Sequence, residues 1–595
     1  MLKMKVSYLL TFGISALVTA NPAKQFKKIW KPENIVKLSI ALQPESRQLL
    51  EQTIRDLSSP SSSRYGQYIG REEAKALLRP RPSSVDAVKW WLTRAGIPDG
   101  HILSDEQFIH IQTNIEGIEA LLGVNYNATL GSQTIAVSTL PQRIQGYVMT
   151  VQYAPVYQRT ACSAAKSNIP STNLDAKQGH SGRYLTKART DWERCKVEIT
   201  PTCLKKLYHV GDYQARHDKK NLLGVAGFDS QAAQYHELDE FLHEFAPYSA
   251  GANFSIALVN GGTNPQGTNF SSSEANQDVQ YAIAMGYNLP VRFYATGGGN
   301  HDIIPDLDLI DPTHEYLEPY LEFASHLLNL PDDKLPSVVS ISYGANEQLF
   351  PKPYAQQVCD MFGQLGTRGV SIIVSSGDFG PGMSCQSNDG TKTTKFIPSF
   401  PATCPYVTSV GSTEGIGPER AANFSAGGFS DYFARPEWQD EAVDGYLQLY
   451  GNEWKDYYNA SGRGFPDVAA QGVNYRFWNH GRSDLTSGTS VSTPVFAALI
   501  ALLNDHRSKS GLSRMGFLNP WIYSIGNRAF TDITESRSIG CQGESLSGLP
   551  SPVIPNASWS AVKGWDPVTG WGTPLFDKMM SLSCGDVYEE ESWLD

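Results

Sequence analysis

From residue 197 onward, short apolar runs alternate with helical patterns, and this alternation restricts the possible folds more than any other feature of the sequence. Strands separated by helix-length segments usually pair as a mostly parallel sheet with helices on its faces. The sequence therefore predicts an α/β fold over residues 199–595, organised as one large domain with insertions. The apolar runs that carry this prediction cover residues 222–228, 255–259, 337–342, 370–375 and 406–410.

Three segments of different character precede this domain. Residues 1–20 place two lysines ahead of a short apolar run and end in small residues, which is typical of a secretory signal peptide. Residues 21–162 combine amphipathic and alternating stretches, which predicts a compact α+β unit. Residues 163–198 are mostly polar and lack periodicity, so we expect an exposed linker that is open to proteolysis.

Export is also indicated by the cysteines and the glycosylation sequons. The eight cysteines fit an oxidising compartment in which some would form disulfides, but their pairing cannot be derived from their spacing. Because Asn-x-Ser/Thr marks an N-glycosylation acceptor, six sites are predicted. They are Asn127, Asn253, Asn269, Asn423, Asn459 and Asn556. The protein is therefore expected to be secreted and extracellular.

The charge balance excludes two classes of partner. A formal net charge of −11 has the wrong sign for a protein that mainly binds nucleic acid or an anionic membrane surface. The N-terminal apolar run is too short to span a bilayer, and no later segment is a better candidate. We therefore expect no nucleic-acid partner and no membrane partner.

A small-residue motif, Ser487-Gly-Thr-Ser-Val-Ser-Thr-Pro494, stands directly before a long apolar helical run. Such a turn exposes one serine hydroxyl at a helix start, where backbone N–H groups can face a developing oxyanion. Taken alone, the same cluster could simply cap a buried helix. Ser490 is the candidate nucleophile.

Glu274 and Asp278 lie one helical turn apart in a segment that begins with three serines and continues as an amphipathic helix. An acidic first turn that faces solvent would be the ordinary interpretation. If the two carboxyl groups share a proton, Glu274 instead becomes a general base that Asp278 orients.

Asp378 follows the apolar run at 370–375 in the sequence Ser-Ser-Gly-Asp-Phe-Gly. The carboxyl end of a parallel strand is where α/β enzymes place functional groups. Asp378 could merely close an Asx turn. Held protonated, it could donate a hydrogen bond to an oxyanion.

Together these motifs resemble the sedolisin family of serine-carboxyl peptidases, in particular its fungal and lysosomal tripeptidyl-peptidase branch. The resemblance implies that Ser490 is the nucleophile, that Glu274 and Asp278 are the paired acids, and that Asp378 is the oxyanion acid. It also implies a subtilisin-like catalytic domain with a mostly parallel central sheet, preceded by an α+β propeptide domain. The expected activity is release of tripeptides from free N-termini of peptides and proteins at acidic pH.

The propeptide resembles that of the family through Ser62-Ser-Arg-Tyr-Gly-Gln-Tyr68 and Trp90-Trp-Leu92. This likeness implies a monomeric zymogen whose own propeptide acts as an intramolecular inhibitor until cleavage within 163–198. The segment from Ile199 to Tyr208 looks like the mature N-terminus of the family.

Two Gly-rich loops near the C-terminus supply carboxylates and carbonyl groups, which together suit a hard cation. Alone, either loop could be an unrelated turn. By resemblance one structural Ca²⁺ is expected, held by two carboxylates and three backbone carbonyls. The ligands would be Asp532, Ile533, Val562, Gly564 and Asp566.

The strand Ser342-Tyr343-Gly344 could bind an extended substrate along its edge. The tripeptidyl branch commonly has acidic residues at positions 345 and 346, where this chain has Ala345 and Asn346. The motifs also do not identify the group that receives the substrate α-ammonium.

Three other functions compete with this interpretation. A sedolisin-type endopeptidase is the alternative within the class. A noncatalytic secreted binding protein on the same scaffold is disfavoured, since Ser490, Glu274 and Asp378 are all present. A calcium-dependent lectin or adhesion module would leave the other motifs unexplained.

Overall fold

The computed structural model describes residues 35–105, 107–122, 133–135, 140–155, 191–270, 272–311, 316–525 and 528–584. The predicted signal peptide, Asn127, Cys162 and most of the predicted linker lie outside these residues. Within the described part of the chain, no helix is both long and apolar enough to cross a membrane.

A five-stranded antiparallel sheet organises the described residues before 156. Its strand order is β2-β3-β1-β5-β4, and residues such as Leu38, Ile40, Ile109 and Val151 bury one face against helices. The strands are β1 (Ile35–Leu42), β2 (Ile102–Ser104), β3 (Phe108–Asn114), β4 (Gln133–Ile135) and β5 (Val148–Pro155). The helices are α1 (Gln48–Ser58), α2 (Arg71–Ala76), α3 (Pro82–Arg94), α4 (Ile115–Leu122) and α5 (Gln142–Gln145).

An eight-stranded sheet forms the centre of the second unit, with parallel pairing throughout except at one edge strand. Every residue of β6, β9 and β11 is buried, which explains why these strands appear in the sequence as continuous apolar runs. The parallel strands are β6 (Leu223–Gly227), β7 (Phe254–Val259), β8 (Val291–Thr296), β9 (Val338–Ile341), β11 (Ser371–Ser375), β13 (Thr408–Glu414) and β17 (Val468–Gln471); β14 (Arg420–Ala421) is the antiparallel edge.

Short two-stranded ribbons and ten helices complete the described part of this unit. The ribbon strands are β10 (Ala345–Asn346), β12 (Ser399–Phe400), β15 (Gly428–Ala434), β16 (Gly462–Phe465), β18 (Tyr475–Asn479), β19 (Arg482–Thr486), β20 (Phe530–Thr531), β21 (Gln542–Glu544), β22 (Pro550–Val553) and β23 (Thr573–Pro574). The helices are α6 (Asp191–Arg194), α7 (Pro201–Leu207), α8 (Tyr235–Phe245), α9 (Ser273–Met285), α10 (Tyr320–Asn329), α11 (Lys352–Thr367), α12 (Asp440–Tyr450), α13 (Thr489–Lys509), α14 (Asn519–Ile525) and α15 (Phe576–Ser583).

This architecture is the predicted one: a subtilisin-like α/β unit with a mostly parallel sheet after an α+β unit. Two local expectations differ from the structure. The strand predicted at 406–410 runs instead over Thr408–Glu414, and residues 191–194 of the predicted linker form α6. The chain after α6 is also attached to β18, because Glu198 forms an ion pair with Arg476 at 2.7 Å.

Helix α9 corrects a third expectation, that its segment is amphipathic. All residues from Ala275 to Met285 are buried, including Asp278, which has no exposed surface. The hairpin β18–β19 covers the polar side of the helix. Gln280 Nε2 donates to the carbonyl of Trp478 at 2.8 Å, and Asn276 Nδ2 donates to Asn479 Oδ1 at 3.1 Å. The solvent-facing interpretation of this acidic turn is therefore wrong.

The first unit docks on the second through α1, which packs against α11. Leu50 and Ile54 of α1 have no exposed surface. Glycines make room for them, since a Cβ at Gly366 would lie 2.9 Å from Ile54 Cδ1 and one at Gly363 would lie 3.2 Å from Leu50 Cδ2. Arg47 pairs with Asp360 of α11 at 2.7 Å, so the contact is both apolar and charged.

Three disulfides join described cysteines, in accordance with the expected oxidising compartment. They are Cys195–Cys203, Cys359–Cys404 and Cys385–Cys541. Among the described cysteines, Cys584 forms no disulfide.

Candidate active site

Ser490 lies in the first turn of α13, the central buried helix of the second unit. The preceding Gly488 has a φ of +149°, and a Cβ at this position would lie 2.8 Å from Asp378 Oδ2. Both observations require glycine here. The small residues of the motif thus allow Asp378 to lie against the turn that presents Ser490.

The hydroxyl of Ser490 donates to the carbonyl oxygen of Ser342 at 3.2 Å. Its neighbour Ser492 is fully buried and bonds to Ser412 and Ala470, so it is sequestered from the site. Ser490 itself is only partly buried. Of these two serines, Ser490 is the one accessible to a substrate.

Glu274, in the first turn of α9, is the titratable group beside this hydroxyl. Burial raises its pKa to about 7, and hydrogen bonding with Ser490 and Gln277 opposes that rise. The negative charges of Asp378 and Asp229 add to the rise. Its Oε1 is buried without a hydrogen-bond partner that has good geometry. A carboxyl group in this state can take a proton from Ser490 once the hydroxyl turns towards it.

Asp278 lies one turn further into α9 and is completely buried. Burial raises its pKa well above the usual range, and the charge of Glu274 raises it further. Because an ionised Glu274 disfavours a second negative charge on Asp278, Asp278 keeps its proton when Glu274 ionises. A protonated Asp278 can donate a hydrogen bond to Glu274 and orient it.

Asp378 is held by Thr489, the residue before Ser490. The backbone N–H and the hydroxyl of Thr489 both donate to Asp378 Oδ1, at 2.8 and 2.9 Å. Burial raises the pKa of Asp378, and these bonds lower it in part. Since Thr489 fixes Oδ1, the second oxygen, Oδ2, is directed towards the turn at Gly488. The aspartate therefore does more than close a local Asx turn.

The strand predicted at 342–344 is not formed, because β9 ends at Ile341 and these residues connect it to β10; the segment lies next to Ser490 through the bond just described. Tyr343 is 8% exposed and packs its ring against Phe228 at 5.0 Å, so this side chain belongs to the core. A Cβ at Gly344 would lie 3.1 Å from the carbonyl oxygen of Phe400. Any role of this segment in substrate binding would therefore use its backbone.

The nonacidic positions 345 and 346 lie beside acids from another segment. Asn346 Nδ2 donates to Asp306 at 2.9 Å and to Asp308 at 2.7 Å. Gln348 Nε2 also donates to Asp306, at 2.9 Å. These carboxylates are satisfied by amide groups, and no motif in the sequence predicted them.

Asp229 and Glu318 are further site residues that the motifs do not identify. Asp229 follows β6, and its negative charge raises the pKa of both Glu274 and Glu318. Both lie in loops outside the motifs, and Asp229 has no acidic neighbour at helical spacing. These two residues can be recognised only in the three-dimensional structure, because their proximity depends on which strand ends lie side by side.

The residues expected to bind a metal lie in two adjacent loops. Asp566 is completely buried, accepts N–H groups from Val562, Val568 and Thr569, and has a pKa that burial raises to about 7. Asp532 Oδ2 accepts the N–H of Gly564 at 2.9 Å. Within the described residues, no N–H donates to the carbonyl oxygens at 533, 562 and 564.

These observations fit an oxygen-coordinated cation, since a buried carboxylate and unused carbonyl groups lie together. The described residues contain no cluster of three or more ligating side chains. A site here would therefore depend on backbone carbonyls, as the resemblance implies.

Four predicted glycosylation sites are exposed: Asn253, Asn269, Asn423 and Asn556. Asn459 is partly buried, and its Nδ2 donates to the carbonyl of Ser430 at 2.9 Å.

Known proteins similar to this chain match both of its units. The family model described as "Pro-kumamolisin, activation domain" matches residues 23–154, and the model of the subtilase family matches residues 317–515. Tripeptidyl-peptidase SED2 of Arthroderma otae is 43% identical over 93% of this chain and 92% of its own length. A probable tripeptidyl-peptidase SED3 of Arthroderma benhamiae is 41% identical over 92% of this chain and 91% of its own length.

Among solved structures, a Pseudomonas sedolisin, a serine-carboxyl proteinase complexed with pseudo-iodotyrostatin, is 19% identical. It covers 66% of this chain and 99% of its own, with a TM-score of 0.46. The sequence relatives match nearly the whole length of both chains, and their identity exceeds 40%. The chain belongs to the sedolisin family of serine-carboxyl peptidases, in the branch of the fungal tripeptidyl-peptidases, and carries a propeptide activation domain ahead of its serine-type peptidase domain.

Proposed function

We propose that this protein is a secreted, acid-acting zymogen whose mature form removes tripeptides from the free N-termini of peptides and proteins. The position of Ser490 beside Glu274 and opposite Asp378 carries the catalytic part of the proposal. The names of the relatives support the tripeptidyl specificity.

In the first step, Glu274 accepts the hydroxyl proton of Ser490 while Ser490 Oγ attacks the scissile carbonyl carbon. Asp278, still protonated, holds Glu274 in place. The tetrahedral intermediate then collapses, the carbon–nitrogen bond breaks, and Glu274 returns the proton to the departing amine. A tripeptidyl ester remains on Ser490.

In the second step, Glu274 takes a proton from water as the water oxygen attacks this ester. Collapse of the second intermediate returns the proton to Ser490 Oγ and releases the tripeptide as a carboxylic acid. Both steps use the same base, Glu274.

Asp378, when protonated, donates a hydrogen bond from Oδ2 to the oxyanion, together with the backbone N–H of Ser490. This role needs the neutral acid, because an ionised Asp378 would repel the intermediate. The raised pKa of Asp378 supports the role, and it favours activity at acidic pH.

Ser342, Tyr343 and Gly344 bind the extended substrate in this proposal through the backbone groups of their segment, which continues from β9. A structural Ca²⁺ is held by Asp532, Asp566 and the carbonyls of Ile533, Val562 and Gly564. Such an ion cross-links two C-terminal loops when bound. The unused carbonyls and the buried Asp566 support this assignment.

The propeptide acts as an intramolecular inhibitor and is removed by cleavage in the segment 163–198. The disulfide between Cys195 and Cys203 favours a cut ahead of Cys195, since a cut inside that loop would leave a fragment attached. We further propose that the signal peptide is removed, that the exposed sequons carry glycans, and that the enzyme is a monomer.

Product mapping tests the proposal. The full-length chain is activated at acidic pH and given a peptide of about 15 residues in free and N-acetylated forms, and the products are read by mass spectrometry. Successive tripeptides from the free form alone support it. Internal cleavage of both forms would favour a sedolisin-type endopeptidase instead.

A further inference from the structure

The propeptide segment that follows α1 inserts the side chain of Tyr68 into a slot of the peptidase domain. Two glycines form the walls of this slot: Gly369, in the turn between α11 and β11, and Gly516, in the loop after α13. A Cβ at Gly369 would lie 2.5 Å from Tyr68 Cδ2, and a Cβ at Gly516 would lie 2.3 Å from the hydroxyl oxygen of Tyr68. Any side chain at either position would therefore collide with the tyrosine.

The end of the slot consists of backbone carbonyl groups, which match the tyrosine hydroxyl. Tyr68 Oη lies 3.0 Å from the carbonyl oxygen of Arg514 and 2.5 Å from that of Met515, and it donates its proton to this pair. Burial raises the pKa of the hydroxyl, so it remains a donor. A phenylalanine ring would fill the same space without supplying a donor. The slot is therefore suited to a phenol group in particular.

The walls of the slot are held by hydrogen bonds within the peptidase domain. Arg514 Nη2 donates to the carbonyl oxygen of Arg368 at 2.6 Å. Ser371 Oγ donates to the carbonyl oxygen of Gly516 at 2.5 Å. Because neither bond involves the propeptide, we expect the slot to keep its shape when Tyr68 leaves it.

The chain on either side of Tyr68 also fits the peptidase domain closely. Gly66 has a φ of +73°, and a Cβ at this position would lie 2.0 Å from Ser513 Oγ. The N–H of Ile69 donates to the carbonyl oxygen of Thr367 at 3.1 Å. Tyr68 is thus the central side chain of a short strip, residues 66–69, that follows the surface of the peptidase domain.

The slot lies at the opposite end of α13 from the nucleophile. Ser490 is in the first turn of this 21-residue helix, whereas the slot is formed by the loop that follows its last turn. At 1.5 Å per residue, the two ends of the helix are about 30 Å apart. The cleavage proposed within 163–198 leaves both Tyr68 and the slot intact.

We propose that this slot is an exosite through which the mature enzyme retains its own propeptide after the linker has been cut, with Tyr68 as the anchor. This inference rests on the proposed function, because it requires a zymogen that is cut within 163–198. The partner is the strip 66–69 of this chain, still attached to α1. Tyrosine is among the residues that most often contribute a large share of the binding energy when they fill a pocket. Loss of Tyr68 should therefore release the propeptide even though α1 still contacts α11.

Retention is tested on the full-length chain after a single cut in the linker. A Ser490→Ala chain, which cannot process itself, receives the recognition sequence of a site-specific protease within residues 163–190 and is cut there. The dissociation constant of the cut propeptide is then measured by size exclusion over a dilution series. We expect the two parts to elute together, and immediate separation of the two parts would overturn the proposal.

Three variants of the cut chain measure the role of Tyr68. Tyr68→Phe loses only the hydroxyl, so the dissociation constant should rise about 3- to 10-fold. Tyr68→Ala empties the slot, and the dissociation constant should rise about 100-fold or more. Tyr147→Phe is the matched control and should have no effect, since Tyr147 packs against the core of the propeptide itself. If Tyr68→Phe and Tyr147→Phe both leave the dissociation constant unchanged, the exosite is wrong.

A competitor peptide tests the slot without changing the protein at Tyr68. An N-acetylated peptide with the sequence of residues 59–70 should displace the propeptide from the cut Ser490→Ala chain. The same peptide with Tyr68→Ala, or with its residues in scrambled order, should not displace it. Displacement by the scrambled peptide, or no displacement by the native one, would contradict an exosite for this segment.

The outcomes separate this inference from the proposed function. The cut Ser490→Ala chain lacks the nucleophile, so its dissociation constants do not depend on the specificity of the wild type. If product mapping shows internal cleavage, the tripeptidyl function fails and the exosite stands. If the wild type releases tripeptides but Tyr68→Ala retains its propeptide as tightly as the parent chain, the exosite alone is wrong.

Discussion

Ser490 and Ser342 exchange two hydrogen bonds. Ser490 Oγ donates to the carbonyl oxygen of Ser342 at 3.2 Å, and Ser342 Oγ donates to the carbonyl oxygen of Ser490 at 3.1 Å. The second bond has a cause in the sequence, because Pro494 stands four residues after Ser490 and has no N–H to donate in the helix. Ser342 therefore donates the hydrogen bond that Pro494 cannot donate, and so completes the helix that presents Ser490.

Removal of the hydrogen bond from Ser342 Oγ to the carbonyl oxygen of Ser490 should make the position of Ser490 less well defined. In Ser342→Ala the carbonyl of Ser490 loses its partner, and we expect the free energy of unfolding to fall by about 1–2 kcal/mol and kcat by about 3- to 10-fold. Pro494→Ala in the same chain restores an N–H at the correct position. A double-mutant cycle, read by denaturant unfolding and by kcat, should show positive coupling between the two changes. Strict additivity would contradict the explanation.

Asp378→Asn should change the pH dependence more than the maximal rate. The amide oxygen can still accept from Thr489, while the amide nitrogen donates at every pH. In the wild type, activity is lost as pH rises through the raised pKa of Asp378, because the acid then loses its donor proton. The alkaline limb of kcat/KM, measured from about pH 3 to pH 8, should therefore move upward in the variant. Asp378→Ala should lose about 10²- to 10³-fold at pH values where the wild-type acid is protonated, and less above them. If the alkaline limb of Asp378→Asn coincides with that of the wild type, Asp378 does not donate the hydrogen bond to the oxyanion.

Ile54→Ala should weaken the docking of the propeptide on α11. Truncation of a fully buried isoleucine costs about 2 kcal/mol or more, which corresponds to about 30-fold. Hydrogen exchange of α1 in a full-length Ser490→Ala chain, which cannot process itself, should accelerate by that factor. Leu49→Ala is the matched control, since Leu49 is 54% exposed. Equal acceleration in both variants would mean that this face does not hold the propeptide.

Removal of calcium should destabilise the C-terminal loops. A ligand at 100 times its Kd stabilises the folded state by about 2.7 kcal/mol, so Tm should rise on addition of Ca²⁺ and fall on chelation. Asp566→Asn and Asp532→Asn should abolish this response, whereas Mg²⁺ at the same concentration should not reproduce it in the wild type. A Tm that is indifferent to Ca²⁺ in the wild type would refute the site.

The catalytic motif could be predicted because its geometry is local. Gly488, Thr489 and Ser490 are adjacent in sequence, and such small residues indicate a tight turn. In the structure this turn packs against Asp378. The spacing of Glu274 and Asp278 likewise fixes their common helix face. The surroundings of this helix could not be predicted, since polar side chains such as Asn276 and Gln280 are typical of a solvent-facing surface. The hairpin β18–β19 instead buries them by supplying hydrogen bonds from residues about 200 positions away.

Asp229 and Glu318 could not be predicted in the same way. They lie in separate loops, and they meet because β8, β6 and β9 are neighbours in a sheet whose strand order differs from the chain order. The fit between Ile54 and Gly366 is equally nonlocal, because it depends on the shape of two surfaces. Periodicity predicts faces and strands, but it does not say which loops converge.

Covalent labelling of the nucleophile tests the central claim most directly. The activated full-length enzyme is treated at acidic pH with a tripeptidyl phosphonate that has a free N-terminus, and the modified residue is found by peptide mapping. The mechanism predicts a single adduct on Ser490, loss of activity in proportion to labelling, and no adduct in Glu274→Gln under the same conditions. Inactivation with the label on another residue, or full activity with Ser490 modified, would contradict it.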